Sequence, residues 1–132
     1  MSAIAKNIHT FKSYERLKSR KTIQLLFRRK LFVQNQYIKI YYCTTLNSNT
    51  TSKDIVVHQF AFSVPKKNFS RAVDRNRIKR QMRDIVRLQK DSLVSTQSFA
   101  YFISYTHTQL PDFELLQQSI STLFQKLNST IT

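Results

Sequence analysis

The segment from Ser70 to Lys90 limits the possible folds of this chain more than any other. It holds eight of the chain's 22 Lys and Arg residues, contains neither Gly nor Pro, and starts with a Ser able to cap a helix. At about 100° per residue, Ile78, Met82, Ile85 and Val86 fall on one side of that helix. Asn76, Arg80, Arg83 and Arg87 fall on the other, with Lys79 and Lys90 at the edge. One face therefore needs a core and the other needs solvent. A solvated face ordinarily mixes signs so that acids and bases pair three or four residues apart, but here only Asp74 and Asp84 stand against eight bases. Such a stripe repels itself unless a polyanion is its partner.

The remaining chain agrees with a nucleic-acid partner. The net charge is +15 and the pI about 10.4, which favours nucleic acid first and an anionic membrane surface second. Residues 1 to 30 carry nine bases and one acid, and residues 66 to 90 carry ten bases and two acids; beyond Lys90 only Lys126 faces Asp91, Asp112 and Glu114. At 132 residues the chain suits one domain, here bounded as a flexible basic arm over 1–13 and a single α/β domain over 14–132. Cys43 is the only cysteine, so no disulfide framework or cysteine metal cluster is expected, and a cytoplasmic location fits. No apolar run approaches a membrane span, and the N-terminus lacks the apolar segment of a secretory signal. Glycine is absent, so tight turns must use Asn, Asp, Ser or Lys.

The expected elements run helix, strand, strand, helix, strand, helix. Ser19 caps a helix from Arg20 to about Lys30, with Ile23, Leu26 and Phe27 as an apolar stripe and Arg28, Arg29 and Lys30 at the dipole's negative end. Gln36 to Thr45 alternates like a half-buried strand, with Ile38, Ile40 and Tyr42 on one face and Tyr37 and Tyr41 on the other. A polar loop over Asn47 to Asp54 leads to a second strand, Ile55 to Val64, expected as its antiparallel neighbour and stopped by Pro65. Ser98 to Tyr105 is apolar on both faces, hence a central strand, parallel to the one before the basic helix. From Asp112, the residues Phe113, Leu116, Ile120, Leu123, Phe124 and Leu127 mark a closing amphipathic helix.

Tyr37 and Tyr41 beside basic helices suit a single-strand site, where rings stack bases while Lys and Arg follow the phosphates; equally, the rings can cover a sheet face beneath a helix. Catalytic chemistry finds little support. His9, His58 and His107 share no face, the seven acids are scattered, and a chain without glycine has no phosphate-cradling loop. No catalytic residue and no protein metal ligand is assigned.

The run from Ala72 to Arg83, with Arg75-Asn76-Arg77-x-Lys79-Arg80-x-x-Arg83 at its centre and Phe62-Ser63-Val64-Pro65-Lys66-Lys67 ahead of it, closely resembles the signature of the bacterial ribonuclease P protein component. The similarity spans roughly residues 16 to 127, beginning with Arg16-Leu17-Lys18. It implies a small mixed-sheet α+β domain like the second domain of ribosomal protein S5, with a left-handed strand-helix-strand crossover where general rules favour the right-handed form. It further implies the protein subunit of a ribonucleoprotein that removes the 5′ leader of precursor tRNA. The endonuclease centre and most of the Mg²⁺ would be held by the RNA subunit, and the protein fold would need no cofactor. The expected partners are the catalytic RNA and precursor tRNA, with no membrane and no obligate protein partner.

On the same resemblance Arg75, Asn76, Arg77, Lys79, Arg80, Arg83, Arg87, Lys66 and Lys67 contact the catalytic RNA. Ile23, Phe27, Tyr41 and one side of the basic helix form the cleft for the single-stranded leader. The family commonly has Phe where this chain has Ile23, which leaves Phe27 and Tyr41 as stacking candidates, and has glycines in place of Lys30 and Ala61. A general or ribosomal-type binder of structured RNA, and a protein-only nuclease, are the alternatives. A DNA-binding helix would need a half-site spacing that nothing here sets.

Overall fold

The computed structural model describes residues 15–44, 57–93 and 97–131. Helix α1 spans Arg20–Arg29; strands β1 and β2 span Phe32–Gln34 and Ile38–Thr44; β3 spans Gln59–Ser63. Helix α2, Ala72–Gln89, runs into a short 3₁₀ turn at Lys90–Ser92, followed by β4, Phe99–Tyr105, and helix α3, Phe113–Ile131. The expected 1–13 arm and the Asn47–Asp54 loop lie outside the described residues.

The four strands are ordered β1-β2-β4-β3. β4 is central and parallel to β3, as expected of two strands joined by α2. The second and third strands are not the antiparallel neighbours that their succession suggested. β4 inserts between them and pairs antiparallel with β2, because only this strand is apolar on both faces and can be covered from both sides. β1 was not anticipated: its three residues are too few to show a period.

Alternation along the strands sorts the core into two layers. Ile38, Ile40, Tyr42, Phe60, Tyr101, Ile103 and Tyr105 face α2 and α3, meeting Ile78, Met82, Ile85 and Val86 of α2 and Leu116, Ile120, Leu123, Phe124 and Leu127 of α3. The opposite face carries a smaller cluster of Leu17, Leu26, Cys43 and Ala100, flanked by Ile23, Tyr41, Ala61 and Phe102, under α1. Burial pushes the Cys43 thiol pKa up, against the pull of Arg29. Phe113 departs from the expected stripe: it sits at the first position of α3 and is 41% exposed.

The turns are built without glycine. Asn35 shapes the β1–β2 hairpin: its side-chain Oδ1 accepts from the Tyr37 and Ile38 N–H groups at 3.0 and 2.9 Å, and its Nδ2 donates to the Ser119 carbonyl of α3 at 3.1 Å. Tyr37 is thereby drawn out of the strand. It packs partly buried at the edge of the larger core and 4.9 Å from the His107 ring, not beside Tyr41.

α1 starts as expected, the Ser19 hydroxyl accepting from the Thr22 N–H at 3.3 Å. It ends at Lys30 in the left-handed region, φ 56° and ψ 33°, whose N–H donates to the Leu26 carbonyl. A Cβ is disfavoured there. Lys30→Gly is therefore expected to stabilise the fold by about 1 kcal/mol in denaturant unfolding.

Ser70 does not cap α2. Arg71 occupies the capping position without a side-chain bond, having no acceptor to offer, and the Arg75 guanidinium instead ties down the preceding loop by donating to the Phe69 and Ser70 carbonyls at 2.8 and 2.9 Å.

Candidate nucleic-acid interface

With Ile78, Met82, Ile85 and Val86 anchored in the larger core, the geometry of α2 turns its opposite face to solvent. Asn76, Arg77, Arg80 and Arg83 are exposed; Lys79 and Arg87 are half-buried along the margins, and Lys66 and Lys67 are exposed in the turn before the helix. Among the described residues, Arg77, Arg80 and Arg83 of this face form no ion pair. Among the described residues its only ion pair is a long one, Arg87 Nε to Asp84 Oδ1 at 4.0 Å. The Arg83 guanidinium lies over the Phe62 ring of β3, 5.8 Å from its centroid. Arg75 belongs to the cluster but is committed to the Phe69 and Ser70 carbonyls.

Lys90 does not join the stripe. It is 8% exposed and its Nζ sits 2.8 and 2.7 Å from the two carboxylate oxygens of Glu15. Helical periodicity placed it at the edge of the cationic face. The chain leaves the α-helix at that residue, and the 3₁₀ turn carries its side chain toward the segment that precedes α1.

A second surface lies on the other side of the sheet. Phe27, at the end of α1, is 42% exposed and stands 5.0 Å from Tyr41 and 5.1 Å from Phe102, edge-on to both. Phe32 of β1 extends the group, 5.7 Å from Tyr41 and 40% exposed. Ile23 is half-buried against the same cluster. The three cleft residues expected from the sequence are thus brought together. Phe32 and Phe102 were missed: Phe102 lay in a strand apolar on both faces, so its side was ambiguous, and Phe32 sits in a strand too short to recognise.

His9 lies outside the described residues, and neither His58 nor His107 joins the two surfaces. His58 is wedged against Phe99 and Tyr101, and its Nδ1 accepts from the Phe99 N–H at 3.3 Å. Burial lowers its pKa below the ordinary 6.5, outweighing the Leu93 carbonyl and Glu15, which raise it. Because the folded state binds this proton less readily than the unfolded chain, stability falls as pH drops through and below 6.5. His58→Phe is expected to flatten that part of the pH–stability curve, measured by thermal unfolding. Among the described residues no three His, Cys, Asp or Glu side chains converge as a metal site, and no helix is long and apolar enough to cross a membrane.

A family model described as Ribonuclease P matches residues 11–128. The chain is also 32% identical over 133 residues to the ribonuclease P protein component of Chlorobium phaeobacteroides, covering 92% of this chain and 90% of that one. The chain belongs to the ribonuclease P protein family. Solved structures agree on the fold. The RNase P protein of Staphylococcus aureus superposes with a TM-score of 0.68 at 22% identity, covering 92% of this chain and 100% of that one. That of Thermotoga maritima gives 0.68 at 20% identity, with 85% and 96% covered. As a ribonuclease P protein component, the chain serves tRNA 5′ maturation within a ribonucleoprotein whose catalyst is RNA.

The two surfaces of this ribonuclease P protein are mounted on helices packed against opposite faces of one sheet. α2 contacts β3, the edge strand, and the segment leading to α1 meets the same strand, Arg16 bridging to Phe60 and the Leu17 N–H donating to the Phe60 carbonyl.

Proposed function

We propose that the protein divides its two surfaces between two RNAs. The catalytic RNA is met by the outward face of α2 and the turn before it: Arg75, Asn76, Arg77, Lys79, Arg80, Arg83, Arg87, Lys66 and Lys67. The 5′ leader of precursor tRNA is met by Ile23, Phe27 and Tyr41. The observation that carries this reading is the physical separation of an exposed cationic helix face from an aromatic floor, each matched to one form of RNA. Structured RNA presents phosphates, and a single strand offers bases that stack on rings.

The protein then contributes positioning and electrostatics, with no reacting group of its own. Arginines spread over α2 reduce repulsion between the two RNAs, and the floor holds the leader so that the scissile bond meets the RNA centre. The Mg²⁺ of the reaction is held mainly by the RNA. The site of action is the cytoplasm, where precursor tRNA is processed.

Reconstitution tests the reading. Precursor-tRNA cleavage should rise when protein and RNA subunit are combined at low Mg²⁺, and should be absent with protein alone. Binding of the RNA without stimulation would favour a general RNA-binding role. Arg83→Ala is expected to weaken binding to the RNA subunit, and Tyr41→Ala to weaken substrate binding only when a leader is present. Equal effects of both substitutions in both assays would contradict the division.

A further inference from the structure

The sheet face under α1 carries two adjacent rows running across all four strands. The register aligns Phe32 with Tyr41, Tyr41 with Phe102, and Phe102 with Ala61. Beside that apolar row it aligns Gln34 with Lys39, Lys39 with Ser104, and Ser104 with Ser63. Lys39 is the only charged side chain in the polar row. Its Nζ lies 4.2 Å from the Phe32 ring centroid and 4.8 Å from that of Tyr41, and among the described residues it forms no ion pair.

We propose that Lys39 is a phosphate contact for single-stranded RNA, held over the Phe32 and Tyr41 rings until the strand arrives. An ammonium over two partly exposed rings is held by a weak attraction, weaker than a charge-assisted contact with phosphate. A base that stacks on these rings takes over the ring face, and the released ammonium reaches the phosphate of the same strand. The exchange replaces a cation–ring contact with base stacking plus an ion pair and leaves no charge without a partner. Gln34, Ser104 and Ser63 line the same row with amide and hydroxyl groups suited to a sugar or a base edge. The proposal rests on the reading that this face holds the leader, and it adds Lys39 and Phe32 to the residues that set leader affinity.

The test uses protein reconstituted with its RNA subunit and two precursor tRNAs, one with a full leader and one with a leader too short to reach the sheet. Lys39→Met retains the aliphatic stem and removes the charge. It is expected to weaken only the full-leader precursor, and to reduce the slope of log binding constant against log salt by about 0.7, the value of one single-strand phosphate contact. Lys39→Arg should preserve both. If Lys39→Met keeps the full slope while Tyr41→Ala weakens leader binding, Lys39 only props the rings and the proposal falls. An equal loss on both precursors would assign Lys39 to the RNA subunit and also overturn it. If Tyr41→Ala too leaves leader binding unchanged, the assignment of this face to the leader fails, and the Lys39 proposal with it.

Discussion

Replacing Arg77, Arg80 and Arg83 together with Gln is expected to weaken binding to the RNA subunit on the order of a hundredfold or more near physiological salt. All three side chains are exposed on α2, and among the described residues none forms an ion pair, so their removal costs the protein little of its own cohesion. Unfolding should stay within about 1 kcal/mol of the parent, as for other surface substitutions. The salt dependence carries the diagnosis. Six to eight neutralised phosphates correspond to a slope of roughly −5 to −7, and losing three contacts should make it shallower by about 2 to 3. Filter binding or calorimetry across a salt series measures both quantities. A large loss of affinity with an unchanged slope would mean that the arginines act through the shape of the helix and not through phosphate.

The largest effect on stability is expected at Lys90. Its ammonium and the Glu15 carboxylate face each other at 2.7 Å with 8% and 14% of their side chains exposed, so removing one charge leaves the other largely shielded from water. Lys90→Met should cost about 3 kcal/mol or more, a large share of the 5–15 kcal/mol that holds a domain of this size together. That corresponds to a fall in Tm of about 10 °C. Combining Lys90→Met with Glu15→Leu removes both charges and should restore most of the loss. The pair fastens the segment before α1 to the end of α2, and Leu17, two residues on, donates its N–H to the Phe60 carbonyl and enters the cluster under α1. The Lys90→Met protein should accordingly show faster amide exchange at Leu17 than elsewhere in the sheet, which hydrogen-exchange measurements would detect.

Much of the architecture was legible in the sequence where a periodic pattern was long. The apolar side of α2, Ile78, Met82, Ile85 and Val86, is the buried side, and Ser19 caps α1. The doubly apolar Phe99–Tyr105 strand is central. The cationic face of α2 was legible for the same reason: an 18-residue helix makes burial of one side and exposure of the other a matter of angle. The pattern failed where the chain departs from its period. Lys90 sits beyond the last α-helical residue, Tyr37 is pulled from its strand by Asn35, and Phe113 begins a helix whose first turn overhangs the core.

Apart from the short β1, the residues alone determined which stretches are helix or strand, where the positive charge is concentrated, and the family to which that arrangement belongs. They did so because side-chain period and local charge are properties of neighbours along the chain. Strand order, the row that joins Phe32, Tyr41 and Phe102, and the seating of Lys39 and Lys90 were decided only by the tertiary structure. Each depends on which residues distant in sequence become adjacent once β4 enters between β2 and β3, and no period along the backbone encodes that adjacency.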